Sequence, residues 1–333
     1  MSFNLSKPLL LVSLLLLNLG GNTHALADDK VRVVTSFSIL EDLVSEVGGA
    51  HVAVTTLVKA NGDAHVYNPT PQDAKAVLKS KLLVINGLSF EGWMPRLLES
   101  SNFKGETVIA STGIEAMKTD HDEEGHEEHH DEDGHEEHHD EDGHKEHDKD
   151  EHDEHHHGEF DPHAWHSISN VKVYVENIEK GLSKVDPKNS KAYQANARAY
   201  IQKLKMLETN LHAQISKIPV SQRKVLTAHD AFSYLAHDFN IEFIAPQGVS
   251  TESEASAADI ATIIKQIRKK HVNAVFMENI ADNRIVEQIS RETNSKIGGK
   301  LYGDALSGKN EPASTYLKMM EYNLETIIKG LSR

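Results

Sequence analysis

The 333-residue sequence contains no cysteine, which excludes a disulfide scaffold, a thiolate metal site, an iron–sulfur cluster and a cysteine nucleophile. Long apolar runs are missing too, with one exception, Pro8 to Leu19. That run follows Lys7 and leads through Gly20-Gly21 to the small-residue triplet Ala25-Leu26-Ala27. It is too short to span a bilayer and has the layout of a secretory signal, with cleavage expected after Ala27. No cysteine follows it to carry a lipid, so the mature chain is expected to be exported, soluble and periplasmic.

Basic excess is also absent. The formal net charge is −16, yet nearly all of it belongs to residues 120–157, where 20 acidic residues, 13 His, two Lys and three Gly carry a local charge of −18. Outside that segment and the signal the chain has 32 basic and 31 acidic residues. A neutral body beside a strongly anionic insert argues against a nucleic-acid partner.

From His121 the insert repeats a nine-residue unit, HDEEGHEEH, HDEDGHEEH, HDEDGHKEH, and ends DKDEHDEHHH. Without an apolar side chain to bury, it is expected to be a disordered loop. Its imidazoles, those of His121, His126, His129, His130, His135, His138, His139, His144, His147, His152, His155, His156 and His157, are candidate contacts for Zn²⁺, Ni²⁺ or Cu²⁺ in many interchangeable arrangements.

The remaining residues alternate between short β-branched runs and helix-period stretches. They read VRVVTSF, ILEDLVSEVGG, HVAVTTLV, PQDAKAVLKS, KLLVINGL, a helix from Phe90 to Ser101, and ETVIAS. The alternation restarts at KVLTAH and continues through IEFIAPQ, VNAVFMEN and IGGKLYG, with helices between and after them. Such βα order predicts two α/β lobes with parallel sheets, each with its own core. Lys188 to Lys217 reads as one helix of roughly 45 Å running along both lobes. The expected organisation is a signal at 1–27, an N-terminal α/β lobe at 28–186 containing the insert, a linking helix at 187–217 and a C-terminal α/β lobe at 218–333.

Ligands in parallel α/β sheets sit beyond the carboxyl ends of strands. Four candidates fall there: His65 in NGDAHVYNPTP, His163 in DPHAWHS, His229 closing KVLTAH, and Asp304 in LYGDALS. Three imidazoles and one carboxylate suit a tetrahedral site for a borderline-soft cation, with zinc the first expectation. Glu278, ending VNAVFMEN, either orients a ligating imidazole or caps a helix. His166 is either an auxiliary ligand or a plain helix-start histidine. Trp165 and Tyr302 read as packing residues.

In order and spacing these segments, with AHDAFSYLA and TESEAS, resemble the zinc/manganese solute-binding proteins of ABC transporters, the periplasmic zinc-uptake receptors in particular. The family motifs are similar to G-x-D-P-H-x-Y-x-P-T-P, D-P-H-x-W, His-Asp-Ala-Phe after a strand, T-E-x-E-P-S and L-Y-x-D-x-L. The resemblance implies His65, His163, His229 and Asp304 as metal ligands and an interlobe spine helix, with little movement between lobes. It also implies an ABC permease with its ATPase as partner, a periplasmic metallochaperone as a further candidate partner, and a monomer. A third-position His is similar to the zinc branch of the family. The chain departs at Asn61, Ala64, Ala255 and His166, and Ala64 in place of Pro is expected to loosen the His65 loop.

The function expected is capture of Zn²⁺ for import, with the insert gathering ions upstream. Its competitors are a manganese receptor of the same family, a periplasmic metal buffer or adhesion protein working through the insert, and a zinc hydrolase.

Overall fold

The computed structural model describes residues 30–119, 159–253, 255–272 and 274–332. The expected signal and the acidic insert with its thirteen histidines lie outside the described residues.

Strands β1 (Val31–Phe37), β2 (Val52–Val58), β3 (Leu82–Ile85) and β4 (Glu106–Ile109) form one parallel sheet in the order β2-β1-β3-β4. Helices α1 (Ser38–Gly48), α2 (Pro71–Lys79) and α3 (Met94–Ser101) make its crossovers. Thr70 caps α2 through a reciprocal bond with Asp73, and Pro71 occupies the first turn, where its missing N–H costs nothing. The helix expected from Phe90 begins only at Met94. Residues before it form a tight turn with left-handed Leu88 and Ser89, pinned because the Glu91 carboxylate accepts from the N–H groups of Asn86 (2.7 Å) and Gly87 (3.2 Å).

Helix α4 (Ile168–Val185) leads through the turn Pro187–Asn189 into α5 (Ser190–Ile215). At 26 residues, α5 is about 39 Å long. It packs against α1 and α4, and Lys172 of α4 pairs with its Glu208 at 2.9 Å.

The second sheet repeats the first. Strands β5 (Lys224–Leu226), β6 (Glu242–Ile244), β7 (Ala274–Glu278) and β8 (Lys296–Leu301) lie parallel in the order β6-β5-β7-β8. Helices α6 (Ser233–Phe239), α7 (Ala257–Lys270) and α8 (Arg284–Thr293) connect them, and α9 (Tyr316–Leu331) returns along β8 and α5. The strand order turns back between β1 and β3 and between β5 and β7, so each sheet opens a crevice at its carboxyl edge. Strands such as LLVI and AVFME are covered on both faces, which is why they read as continuous apolar runs.

The core does not divide between the lobes as expected. One cluster runs from Val33, Phe37 and Leu83 of the first sheet through Trp165, Tyr200 and Leu204 to Phe232, Phe276, Leu301 and Tyr316 of the second. A smaller cluster, including Leu226, Ile264, Val275 and Ile289, belongs to the second unit alone.

Candidate metal centre

The loop after β2 carries His65. Asp63 accepts from the backbone N–H of His65 at 2.9 Å, and Trp93 Nε1 donates to the Ala64 carbonyl at 2.8 Å. Ala64 is fully buried, so the loosening expected from the lost proline is countered by that indole clamp. The loop leaving residue 159 carries His163 and repeats the device two residues apart: Asp161 Oδ1 accepts from the His163 N–H at 2.9 Å and stands 2.7 Å from its Nδ1. Asn86, beyond β3, fixes the same loop by donating to the Pro162 carbonyl at 2.9 Å.

His229 lies just past β5, and Glu278 ends the adjacent β7. Glu278 Oε1 accepts from the N–H groups of Ala228 (2.7 Å) and His229 (3.0 Å), and Oε2 lies 2.6 Å from His229 Nδ1. Glu278 thus contacts both the backbone and the ring of His229, and Asn283 occupies the position before α8. Asp304 follows β8. Trp165 Nε1 donates to the Gly303 carbonyl at 2.9 Å, so this indole holds the Asp304 loop as well as packing. A side chain at Gly303 would stand 3.2 Å from Glu278 Oε2, and its absence lets the loop pass that close.

Two residues from each lobe thus converge, and one ligand atom from each of His65, His163, His229 and Asp304 falls within a 4.8 Å group. His65 Nε2 lies 3.0 Å and His229 Nε2 3.2 Å from Asp304 Oδ2. His163 Nε2 lies 3.5 Å from Asp304 Oδ1 and 3.4 Å from His65 Nε2. Ligands at roughly 2.0–2.1 Å around a tetrahedral ion stand about 3.3 Å from one another, the edge of that tetrahedron. The donor set therefore encloses a space that a small four-coordinate cation fits.

Phe90, against His65 at 4.8 Å between ring centroids, joins Trp165 and Phe37 in an aromatic wall that keeps the surroundings apolar. In that setting charges settle against each other. Burial disfavours protonated His163, but the carboxylates of Asp304 and Asp161 outweigh it and push its pKa up to about 9. Burial likewise opposes charge on His229, yet Glu278 and Asp304 hold it well above the ordinary imidazole range. Asp304 resists burial through His229 and His163, and its carboxyl stays well below the usual carboxylate range.

His166 is placed outside this group. It is fully buried in the turn Ala164–His166, with its ring 4.7 Å from Phe232, and neither ring nitrogen meets a protein partner. Burial, with His163 beside it, drives its pKa down to about 3, so it stays neutral. It lies in the turn directly before the Ser167 cap of α4, as a buried imidazole. The insert histidines fall outside the described residues.

Two carboxylates of the site, Asp63 and Asp161, were not singled out from the sequence. A signal for them exists: Asp-x-His occurs at 63–65 and again at 161–163, the spacing at which an aspartate caps the N–H two residues on.

Residues 33–330 match the protein family described as zinc-uptake complex component A, periplasmic. The chain is 30% identical over 319 residues to the iron-binding protein YfeA of Yersinia pestis, covering 94% of this chain and 92% of that protein. It is 27% identical over 319 residues to the manganese ABC transporter substrate-binding lipoprotein PsaA of Streptococcus pneumoniae, covering 94% and 93%. Among solved structures, a manganese-bound mutant of a periplasmic metal binding protein from Candidatus Liberibacter asiaticus superposes with TM-score 0.75 at 30% identity, over 91% of this chain and 100% of that one. The periplasmic zinc binding protein TroA from Treponema pallidum superposes with TM-score 0.77 at 26% identity and the same coverage.

Proposed function

This chain belongs to the periplasmic zinc-uptake component A family, a metal-binding receptor of an ABC transporter and not an enzyme, and from that premise we propose that its cargo is Zn²⁺, held by His65, His163, His229 and Asp304. The observation that carries this reading is the donor set itself: three imidazoles and one carboxylate at separations that suit a tetrahedral ion. Manganese favours more oxygen ligands and octahedral geometry. Relatives named for manganese and iron keep Mn²⁺ as the alternative cargo.

Capture requires the imidazoles to give up their protons, and burial of all four groups supplies a site with little room for water. Delivery to the permease follows from movement of the ligand loops, which the family role implies. We place the protein in the periplasm after removal of residues 1–27. No helix among the described residues is long and apolar enough to cross a membrane, and the chain has no cysteine to bear a lipid. The acidic, histidine-rich insert then acts as a weak reservoir that raises the ion concentration near His163.

A competitive Zn²⁺ titration of the mature chain, beside a form lacking 121–157, tests this against a chelator of known affinity. One tight equivalent that survives deletion of the insert and disappears in His65→Ala supports the receptor site. Tight binding that vanishes with the insert moves the function to the insert. Retained preference for Mn²⁺ over Zn²⁺ in the same competition replaces the cargo.

A further inference from the structure

Beside the four ligands a second bridge joins the lobes. It starts at Gln247, which pairs with His229 in an isolated parallel bridge and whose carbonyl accepts from the Asp230 N–H at 3.1 Å. The Gln247 side chain turns forward and donates to the carbonyls of Thr251 (3.2 Å) and Ser253 (2.6 Å), which braces the segment 247–253. At its far end Thr251 Oγ1 donates to Asp63 Oδ2 at 2.7 Å. The other oxygen of that carboxylate accepts from the His65 N–H at 2.9 Å. A single aspartate therefore holds a ligand loop of one lobe with one oxygen and a segment rooted beside a ligand of the other lobe with the second.

The surroundings show what this crossbar blocks. His65 is the one ligand with measurable exposure, 9%, whereas the other three have none. It lines a cavity of about 440 Å³ that Val249, Ser250 and Glu252 also line. A second cavity of about 270 Å³ is lined by Asp63, Gln247 and Thr251. An ion leaving past His65 enters the first cavity, and widening that route means parting the His65 loop from segment 249–252. Among the described residues, the Thr251 hydroxyl makes the side-chain hydrogen bond that ties the two.

We propose that Thr251 is a positioning residue for cargo release: its hydrogen bond to Asp63 latches segment 247–253 against the His65 loop and slows escape of the bound ion. The proposal rests on the receptor reading above. Breaking the latch leaves all four ligands in place and makes the open arrangement easier to reach. Its effect therefore falls on the dissociation rate, with association little changed. A hydroxyl-to-carboxylate hydrogen bond at a half-buried site is expected to slow release roughly tenfold.

The test uses the full mature chain with Thr251→Val, which keeps the shape and deletes the donor, and Thr251→Ser, which restores it. Each is loaded with one equivalent of Zn²⁺, and release into excess chelator is followed by stopped flow. In the metal-free proteins, amide exchange is measured at His65, whose N–H the same carboxylate holds. Release about tenfold faster in Thr251→Val, near-parental release in Thr251→Ser, and faster exchange at His65 in Thr251→Val alone are the expected results. Unchanged release in Thr251→Val, or equal acceleration in both variants, overturns the latch while leaving the receptor intact. Absence of any tight equivalent in the parental chain overturns the receptor reading instead.

Discussion

Glu278→Gln removes one charge and almost no volume, and the consequence can be worked atom by atom. In the parent, Oε1 accepts from two backbone N–H groups, at 2.7 and 3.0 Å, and Oε2 lies 2.6 Å from His229 Nδ1. A glutamine must turn its carbonyl oxygen toward the two N–H donors, because an NH₂ there would confront them without an acceptor. Its NH₂ then faces Nδ1 and can only donate. Nδ1 becomes the acceptor, and the single proton of neutral His229 moves to Nε2, the atom that faces Asp304 Oδ2 at 3.2 Å and belongs to the ligand group. An Nε2 that carries a proton cannot ligate. Loss of such a supporting carboxylate costs typically 10–100-fold in metal affinity, about 1.4–2.7 kcal/mol. The assay is Zn²⁺ competition against a chelator at fixed pH, with nitrogen NMR of the metal-free protein, taken at a pH above the raised pKa of His229 where the ring is neutral, to read its tautomer. Affinity within a factor of about two of the parent would refute the argument that Glu278 sets the proton on His229.

Two further predictions concern pH. In the metal-free protein His163 titrates near 9, above the 6.5 of an unperturbed imidazole; its contribution to stability is complete below pH 6.5 and is lost as pH rises through 9. Melting temperature without metal should fall over that window while the increment produced by Zn²⁺ grows, and a metal-free profile that stays flat would contradict the charge arrangement. On α1, burial pushes Asp42 up to about 6, helped by Glu46 and Glu41 and opposed by the N–H of Tyr316, which it accepts at 2.8 Å. Being raised, this carboxyl stabilises below pH 4 and loses that contribution through pH 6. The full shift is worth about 3 kcal/mol, and partial exposure reduces it to about 1–2 kcal/mol. Asp42→Asn keeps an acceptor for Tyr316 and should melt higher than the parent at pH 8, with the advantage gone by pH 4; equal melting at both values would show that Asp42 ionises freely.

Strand positions were legible because two-sided burial in a parallel sheet leaves long β-branched runs such as VRVVTSF, and the caps at Thr70 and Ser256 mark helix starts in the sequence itself. The four candidate ligands stood out for a related reason: each follows a strand or sits on a loop that proline interrupts. What escaped was determined across the fold. Asn86-Gly87 and Gly92 signal a break in the sequence, but the shape of the turn before Met94 depends on a Glu91 carboxylate buried against Ser36 and Asn86. The second role of Trp165 requires Gly303, 138 positions away. His166 looks polar in sequence, yet its ring is enclosed by Trp165 and Phe232. The irregular register between Val275 and Phe276 follows from Gly298, where any Cβ would meet the Phe276 ring at 2.5 Å.

The apolar cluster that passes from the first sheet through Trp165 and α5 into the second makes the lobes one cooperative unit. Since each half supplies only two of the four donors, no partly folded intermediate offers a complete cage. A nascent chain moving through a metal-containing compartment would then meet ions first with isolated imidazoles, whose weak grip is readily reversed, and acquire tenacity only at the moment its interior closes. Maturation and loading are in this sense a single transition, and any substitution that thins the common interior should register as lost occupancy before it registers as lost secondary structure.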